Sequence, residues 1–517
     1  MKTSARPGRM GRSLAAVLGL VMTVALTACS GGTGSSATNT LTFGISADNA
    51  PNGYDPMLYA AGQSTFFSGL YDSLFTTDKD GVAQPSLVSS FTTSPDNKTL
   101  TLTLRTGVTF TDGSKLDSAV VKANLDRRTD KSLVAYGALA TGGAAEISQV
   151  ATPDNKTVVI TWAQPQATGQ NNLMDETGMI VGPHGIADVA GLKTNPDGSG
   201  PYSLDTAKTT KSATYTFSKS TKSWHASAYP FSAVVFKVIT NPQALANAVV
   251  SGQVDVAGQL DSSTVSLVQS RQKVAQDGGT IMGFPVADKL GLTNKAFAST
   301  LVRQALNYGT DRATLVKDLH PTAKATAQLF PVEAKGYDAA INTKYAYDPA
   351  KAKALLAQAG YPNGFSIDLA VLGQPSDDEI AVQKQWQKIG VTMNFKSVTS
   401  TDAAFAAVRT QPLLFGPFGV GANPAGFIAG VVYGGFMNLQ KATDPAIEQP
   451  LGAALGTTGA AQDVALKALN AAITDQGWYI PLYESYISYG YNPSKVAAPV
   501  YSGTNGYLLL SSLKPAK

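Results

Sequence analysis

Residues 348–395 read DPAKAKALLAQAGYPNGFSIDLAVLGQPSDDEIAVQKQWQKIGVTMNF. Asp348 and Pro349 supply a cap and a first turn for the helix AKAKALLAQA, and Gly360 stops it with Pro362 just beyond. Phe365, Ile367, Leu369 and Val371 then alternate, which predicts a strand. Ser376 and Glu379 have the spacing of a capping box and open a second helix, IAVQKQWQKI, which Gly390 ends. VTMNF alternates again. Helix, strand, helix, strand in this order is the pattern of an α/β fold. Trp386, one helical step from Ile389, belongs to its core.

The same punctuation extends outward. LTFGIS at 41–46 reads as a strand. KTLTLTLRTGVTFTDG at 98–113 puts Leu100, Leu102 and Leu104 on one face, with a turn expected through Asp112-Gly113. A helix follows, with Asp117 as its cap, and NKTVVITW repeats the strand pattern. Region 79–196 thus predicts a small α+β unit. From Gly200 onward FSAVVFKVIT reads as a strand, Asn241-Pro242 opens a helix that ends near Ser251-Gly252, and VDVAG resumes a strand. That is a strand–helix–strand unit.

With 517 residues, 44% hydrophobic and 15% charged, the chain has material for two or three compact units. Residues 1–28 carry Lys2, Arg6, Arg9 and Arg12, no acid, and an apolar run from Leu14 to Leu26. LTAC follows, with Cys29 as the one cysteine of the sequence, and then the Gly/Ser tether of 29–39. The segment resembles a bacterial lipoprotein signal, which implies lipidation of Cys29 and anchoring to the outer face of the cell membrane. No later run approaches the roughly 20 apolar residues of a membrane span, so the chain is expected to be tethered rather than embedded. The four leader bases account for the net charge: without them 36 basic residues face 36 acidic ones. Such a balance gives no electrostatic case for nucleic acid.

Catalytic signatures are few. His184, His225 and His320 are the three histidines, far apart and without zinc-ligand spacing, so no metal and no cofactor are expected. Ser270 and Lys273 match SxxK, but no KTG follows; GxSxG and the P-loop are absent. Asp126-Arg127-Arg128 reads as a solvated helix end.

Several stretches in order resemble the peptide/nickel (family 5) extracellular solute-binding proteins of ABC importers. They are GLYDSLFTTDKDGVAQPSLVSSFTTSPDNKTLTLTLRTGVTFTDGSKL at 69–116, GSGPYSL at 198–204, SGQVDVA at 251–257, VRQALNYGTDRATLV at 302–316, YDPAKAKALLAQAGYPNGF at 347–365 and WYIPLY at 478–483. Together they span most of the chain from Leu41. The resemblance implies a two-lobed α/β periplasmic-binding-protein type II fold with an extra α+β subdomain inserted in lobe I. Lobe I would comprise 40–78, 197–286 and 478–517, the insertion 79–196, and lobe II 287–477. It implies a monomer without enzymatic activity that captures a small solute between hinged lobes and delivers it to a permease and ATPase complex.

Cleft candidates follow from the same resemblance: Tyr54 and Asp55 after the first strand, Asn294 near the start of lobe II, and Tyr483 beside the returning crossing. The stretch LLFGPFGVGANP at 413–424 adds Phe415, Phe418 and Asn423. Peptide-binding members carry there an aspartate for the ligand's ammonium group; this chain has Asn423, which donates and accepts neutral hydrogen bonds. A buried ammonium ion without a counter-charge costs several kcal/mol. Phe415 and Phe418 either stack on a ligand or belong to the lobe core. Peptides are the default ligand class, with an oligosaccharide, another polar metabolite or a metal chelate as alternatives. A signalling or scaffold lipoprotein of the same fold is the reading from a different class.

Overall fold

The structure, a computed structural model, describes residues 39–516 apart from 60–62, 79–81, 129, 131–132, 134–145, 399–406, 408, 422, 435 and 502–507. The expected leader at 1–28 and Cys29 lie outside the described residues. The Asp348 carboxylate accepts from the Lys351 amide at 2.8 Å and opens the helix Pro349–Gln358. Ser376 and Glu379 form the capping box of the helix Asp377–Gln387. The strands Phe365–Leu372 and Val391–Val398 pair in parallel, with Phe365 opposite Val391. Two glycines enter those strands, Gly364 at φ +76° and Gly390 at φ +92°. A Cβ at position 364 would stand 1.7 Å from the Gly390 carbonyl oxygen, so the two turns meet backbone on backbone.

The largest sheet is mixed. The parallel strands Val256–Ala257, Thr40–Ile45 and Ala233–Val238 lie side by side, with Thr214–Lys219 antiparallel beyond them. On the other side two long strands run together, Lys273–Pro285 and Tyr479–Tyr491, in register from Lys273 opposite Tyr491 to Pro285 opposite Tyr479. Their ends belong to different cores. Tyr489 and Tyr491 pack with Phe43, Phe66 and Phe236, whereas Phe284, Ile480 and Leu482 pack with Leu369, Val382 and Trp386. Between those ends the register shifts twice, at Gly278/Thr280 and at Met282/Gly283. Such irregularities bend a strand pair locally.

A separate antiparallel sheet orders Val88–Thr93, Thr99–Leu104, Thr157–Trp162 and Ile147–Ala151 over a core of Leu100, Leu102, Val158, Ile160 and Trp162. Asp112-Gly113 turns the chain, but only for a short bridge between Thr109 and Lys115. Thr99–Leu104 meets its sheet neighbour through residues 94–98 instead. There Asn97 takes φ +58°, and Asp96 accepts from Ser94 Oγ and from the Lys98 amide at 3.1 Å. The local side-chain bonds of Ser94 and Asp96 select that turn. The helix Ser118–Arg127, capped by Asp117, does not end in solvent. Arg127 reaches Asp55 at 2.7 Å, and the buried Arg128 donates to the Met179 carbonyl at 2.9 Å.

Just past the first long strand, Asp288 and Lys289 are both buried. Asp288 accepts from the amides of Leu292, Thr293 and Asn294 at 2.7–2.8 Å and from Thr293 Oγ1 at 2.6 Å. Burial pushes its carboxyl up, but the bonds from Thr293, Asn294 and Gln440 outweigh it and hold the group below its ordinary range. Lys289 Nζ donates to the carbonyls of Val286 and Met437 and lies 4.5 Å from the Trp478 ring centre. Burial drives its ammonium well below the usual lysine range.

Gly364→Ala is expected to lower stability by about 2 kcal/mol or more, since it adds a clash to a left-handed backbone. An unchanged denaturation midpoint would contradict the backbone contact. Asp288→Asn is expected to cost about 1–3 kcal/mol at neutral pH. A depressed folded pKa contributes stability above the unfolded value of about 3.9 and loses it as pH falls through the folded value, so the variant's acid limb should be flatter. Parallel acid limbs in wild type and variant would refute that role.

Candidate functional site

A cavity of about 190 Å³ opens between two walls that belong to different cores. One wall is Thr168, Gln170 and Asn171, with Val82 beside them. It rests on the antiparallel sheet: a Cβ at Gly169 would stand 2.7 Å from the Trp162 indole nitrogen, so glycine lets this segment lie against the ring. The other wall is Lys335, Asn423, Pro424, Ala425, Thr458, Gly459 and Gln462. The helix Gly459–Asp475 carries part of it and anchors through Leu466, Leu469 and Ile473 in a core shared with Trp478 and Tyr479.

Among the described residues three hydrogen bonds join the walls. Asn423 Nδ2 donates to Asn172 Oδ1 at 2.7 Å, the Ala167 amide to the Leu455 carbonyl at 3.0 Å, and Asn97 Nδ2 to the Gly456 carbonyl at 3.4 Å. The Asn423 carboxamide is thereby used twice, since its Oδ1 also accepts from the Gly426 amide and caps the helix Pro424–Phe427.

A smaller pocket, with room for about one water, lies at the carboxyl ends of Thr40–Ile45 and Val256–Ala257. Ser46, Asn49, Thr65, Gln259 and Tyr489 line it. In open α/β sheets ligands bind at the carboxyl ends of parallel strands. Gln259 takes φ +52°, a conformation uncommon for a residue with a long side chain. A third cavity, about 230 Å³, lies around Asp72, Trp224, His225 and Tyr229. Its two lining carboxylates are committed within the fold: Asp72 takes Ser199 Oγ and Trp224 Nε1 at 2.9 Å and His225 Nε2 at 3.1 Å, and Asp175 takes the Thr77 amide at 3.3 Å and Thr77 Oγ1. Among the described residues no group of three or more His, Cys, Asp or Glu is arranged to hold a metal.

Of the residues singled out in the sequence, Asn423 lines the cavity between the walls. The others have partners inside the fold. Tyr54 is buried, its ring edge-on to Tyr215 and its carbonyl bonded to the Tyr71 hydroxyl at 2.7 Å. Burial, with the charge of Asp48, pushes its phenol up to about 12. Asp55 caps the turn Pro56–Leu58 and pairs with Arg127. Asn294 caps the turn Lys295–Ala298 and donates to the Ser366 carbonyl at 2.8 Å. Phe415 packs 4.9 Å from Phe284, and Phe418 lies 6.1 Å from Tyr479 across the short strand Gly416–Phe418. Tyr483 is buried; its hydroxyl donates to Asp378 at 2.7 Å and its ring lies over His320 at 4.3 Å. Burial and Asp378 together raise its phenol. Missed by the sequence reading were Thr168, Gln170, Asn171, Lys335 and Gln462. The uncharged amide run QNN at 170–172 was the one visible signal.

The family model for bacterial extracellular solute-binding proteins, family 5, middle region, matches residues 82–427. Glutathione-binding protein GsiB of Salmonella paratyphi A is 29% identical over 349 residues, 66% of this chain and 65% of that protein. GsiB of Shigella flexneri is 29% identical over 353 residues, 66% of each chain. The chain thus matches about two thirds of the length of these curated relatives. Among solved structures, the periplasmic binding protein DppA of Helicobacter pylori, in complex with the peptide STSA, superimposes with a TM-score of 0.77 at 21% identity. That match covers 92% of this chain and 98% of DppA. AgaA of A. tumefaciens R10, in complex with agropinic acid, gives 0.76 at 23% identity over 92% and 99%. The fold is the two-lobed type II periplasmic-binding-protein fold. No helix among the described residues is long and apolar enough to cross a membrane. By its match over residues 82–427, this chain belongs to the bacterial extracellular solute-binding proteins of family 5.

Proposed function

We propose that this protein is the substrate-binding subunit of an ABC importer, tethered to the membrane through a lipidated Cys29. In this reading 40–78, 197–286 and 478–517 form lobe I, 79–196 a subdomain inserted in it, and 287–477 lobe II. The observation that carries it is the cavity whose walls stand on two different cores, the antiparallel sheet around Trp162 and the cluster around Trp478 and Tyr479. A solute held there touches both walls only when they are close, so binding shifts an open–closed equilibrium. The closed form is what a permease would recognise. The relatives' ligands, glutathione for GsiB, a peptide for DppA and agropinic acid for AgaA, support a small polar solute.

Thermal unfolding in the presence of a panel of peptides, amino-acid conjugates and chelates tests this. At least one member should raise the melting temperature with concentration, by about 2.7 kcal/mol of added stability at 100 times its Kd. A panel without effect would count against solute capture. Separately, Cys29→Ala should move the protein from the membrane fraction to the soluble one. Retention in the membrane fraction would sink the lipid anchor and leave the binding proposal intact.

A further inference from the structure

We infer that the cavity between the walls selects an anionic solute and holds its acidic end beside Lys335, an inference that rests on this cavity being the solute site proposed above. Among its described lining residues Lys335 is the one charged side chain, and the polar remainder is neutral: Thr168, Gln170, Asn171, Asn423 and Gln462 among them. Three other lysines of the same half have partners in the fold. Lys289 is held by two carbonyls, Lys344 by Asp475, and Lys324 lies over the Tyr486 ring. Lys335 is exposed and has no ion pair to a described residue, so its ammonium is available to a guest.

The opposite wall adds a requirement. Gln170 Oε1 is buried and has no hydrogen-bond partner. An acceptor left in that state is costly, and a guest that lets the Gln170 carboxamide turn toward the cavity and accept its N–H or O–H recovers the loss. The occupant therefore combines an anion, for Lys335, with a hydrogen-bond donor for Gln170. Carboxylates attached to an amide or hydroxyl meet that description. An ammonium group brought here would face a like charge and no described carboxylate, which disfavours it on both counts. The charge logic of the pocket is thus opposite to that of a site built to capture a free amino terminus. A peptide would enter with its carboxylate end, or with its amino end blocked.

Calorimetric titration with glutathione, N-acetyl-alanyl-alanine and alanyl-alanine amide, followed by the stabilising members of the wider panel, tests the inference. Anionic probes should bind at least about tenfold more tightly than the amide. Lys335→Gln should weaken the anions about 10- to 100-fold, as expected for loss of a charge-assisted hydrogen bond, and Lys335→Arg should retain most of the affinity. The unliganded melting temperature should not move, because Lys335 is exposed. If the ligands that bind are cationic or neutral, or if anions keep their affinity in Lys335→Gln, charge selection is overturned while solute capture stands. If no probe and no panel member binds, both fall together.

Discussion

The rest of the molecule depends on one pairing, that of Lys273–Pro285 with Tyr479–Tyr491. Segments from the middle and from near the end of the sequence meet there and carry the chain between two hydrophobic cores. Backbone hydrogen bonds along thirteen-residue strands make the connection continuous, yet the two register shifts fall between the parts that each core holds rigid. Aromatic packing fixes Tyr489 at one end, and Phe284 against Trp386 fixes the other. An irregular ladder is where a strand pair bends at least cost in backbone hydrogen bonds. Deforming either end would uncover apolar surface at roughly 25 cal/mol per Å².

Polar groups divide into two populations, and the division separates scaffold from site. Asp72, Asp288, Asp378 and Asp55 are buried carboxylates, each surrounded by donors from the chain itself. They fix loops and leave nothing for a guest. The cavity between the walls is lined by amides, hydroxyls and one exposed ammonium, groups that exchange partners with water at little cost. A binding site that must open and refill needs that second kind. Saturated carboxylates would make a stronger scaffold and a poorer receptor.

This explains what the sequence made legible. Caps, glycine stops and strand alternation act within a few residues, so Asp348-Pro349, the Ser376–Glu379 box, Asn241-Pro242 and Asp117 all mark helix starts in the structure. The turn at 94–98 was missed because Asp112-Gly113 offers the stronger dipeptide signal, while Ser94 and Asp96 act through side chains. Which way a loop residue faces is a tertiary matter. Tyr54, Asp55 and Tyr483 lie in loops or strands beside the crossing, yet Tyr215, Arg127 and Asp378, distant in sequence, draw them inward. Lys335 had no local mark because it neither caps, stops nor alternates with anything, and Gln170 had only the amide run QNN. Asn423 was found because its neighbours carry a family pattern.

Among the described residues the direct links between the walls are three neutral hydrogen bonds, each with a net value of about 0.5–1.5 kcal/mol, and they compete with water that would satisfy the same groups were the walls apart. Moving a two-state equilibrium from 1:99 to 99:1 takes about 5.5 kcal/mol of differential affinity. A guest that engages Lys335 on one wall and Gln170 on the other contributes in the closed state only, because neither wall holds both groups. If this cavity is the solute site, closure depends on chemistry at two points, and a solute lacking either the charge or the donor leaves the walls free to part.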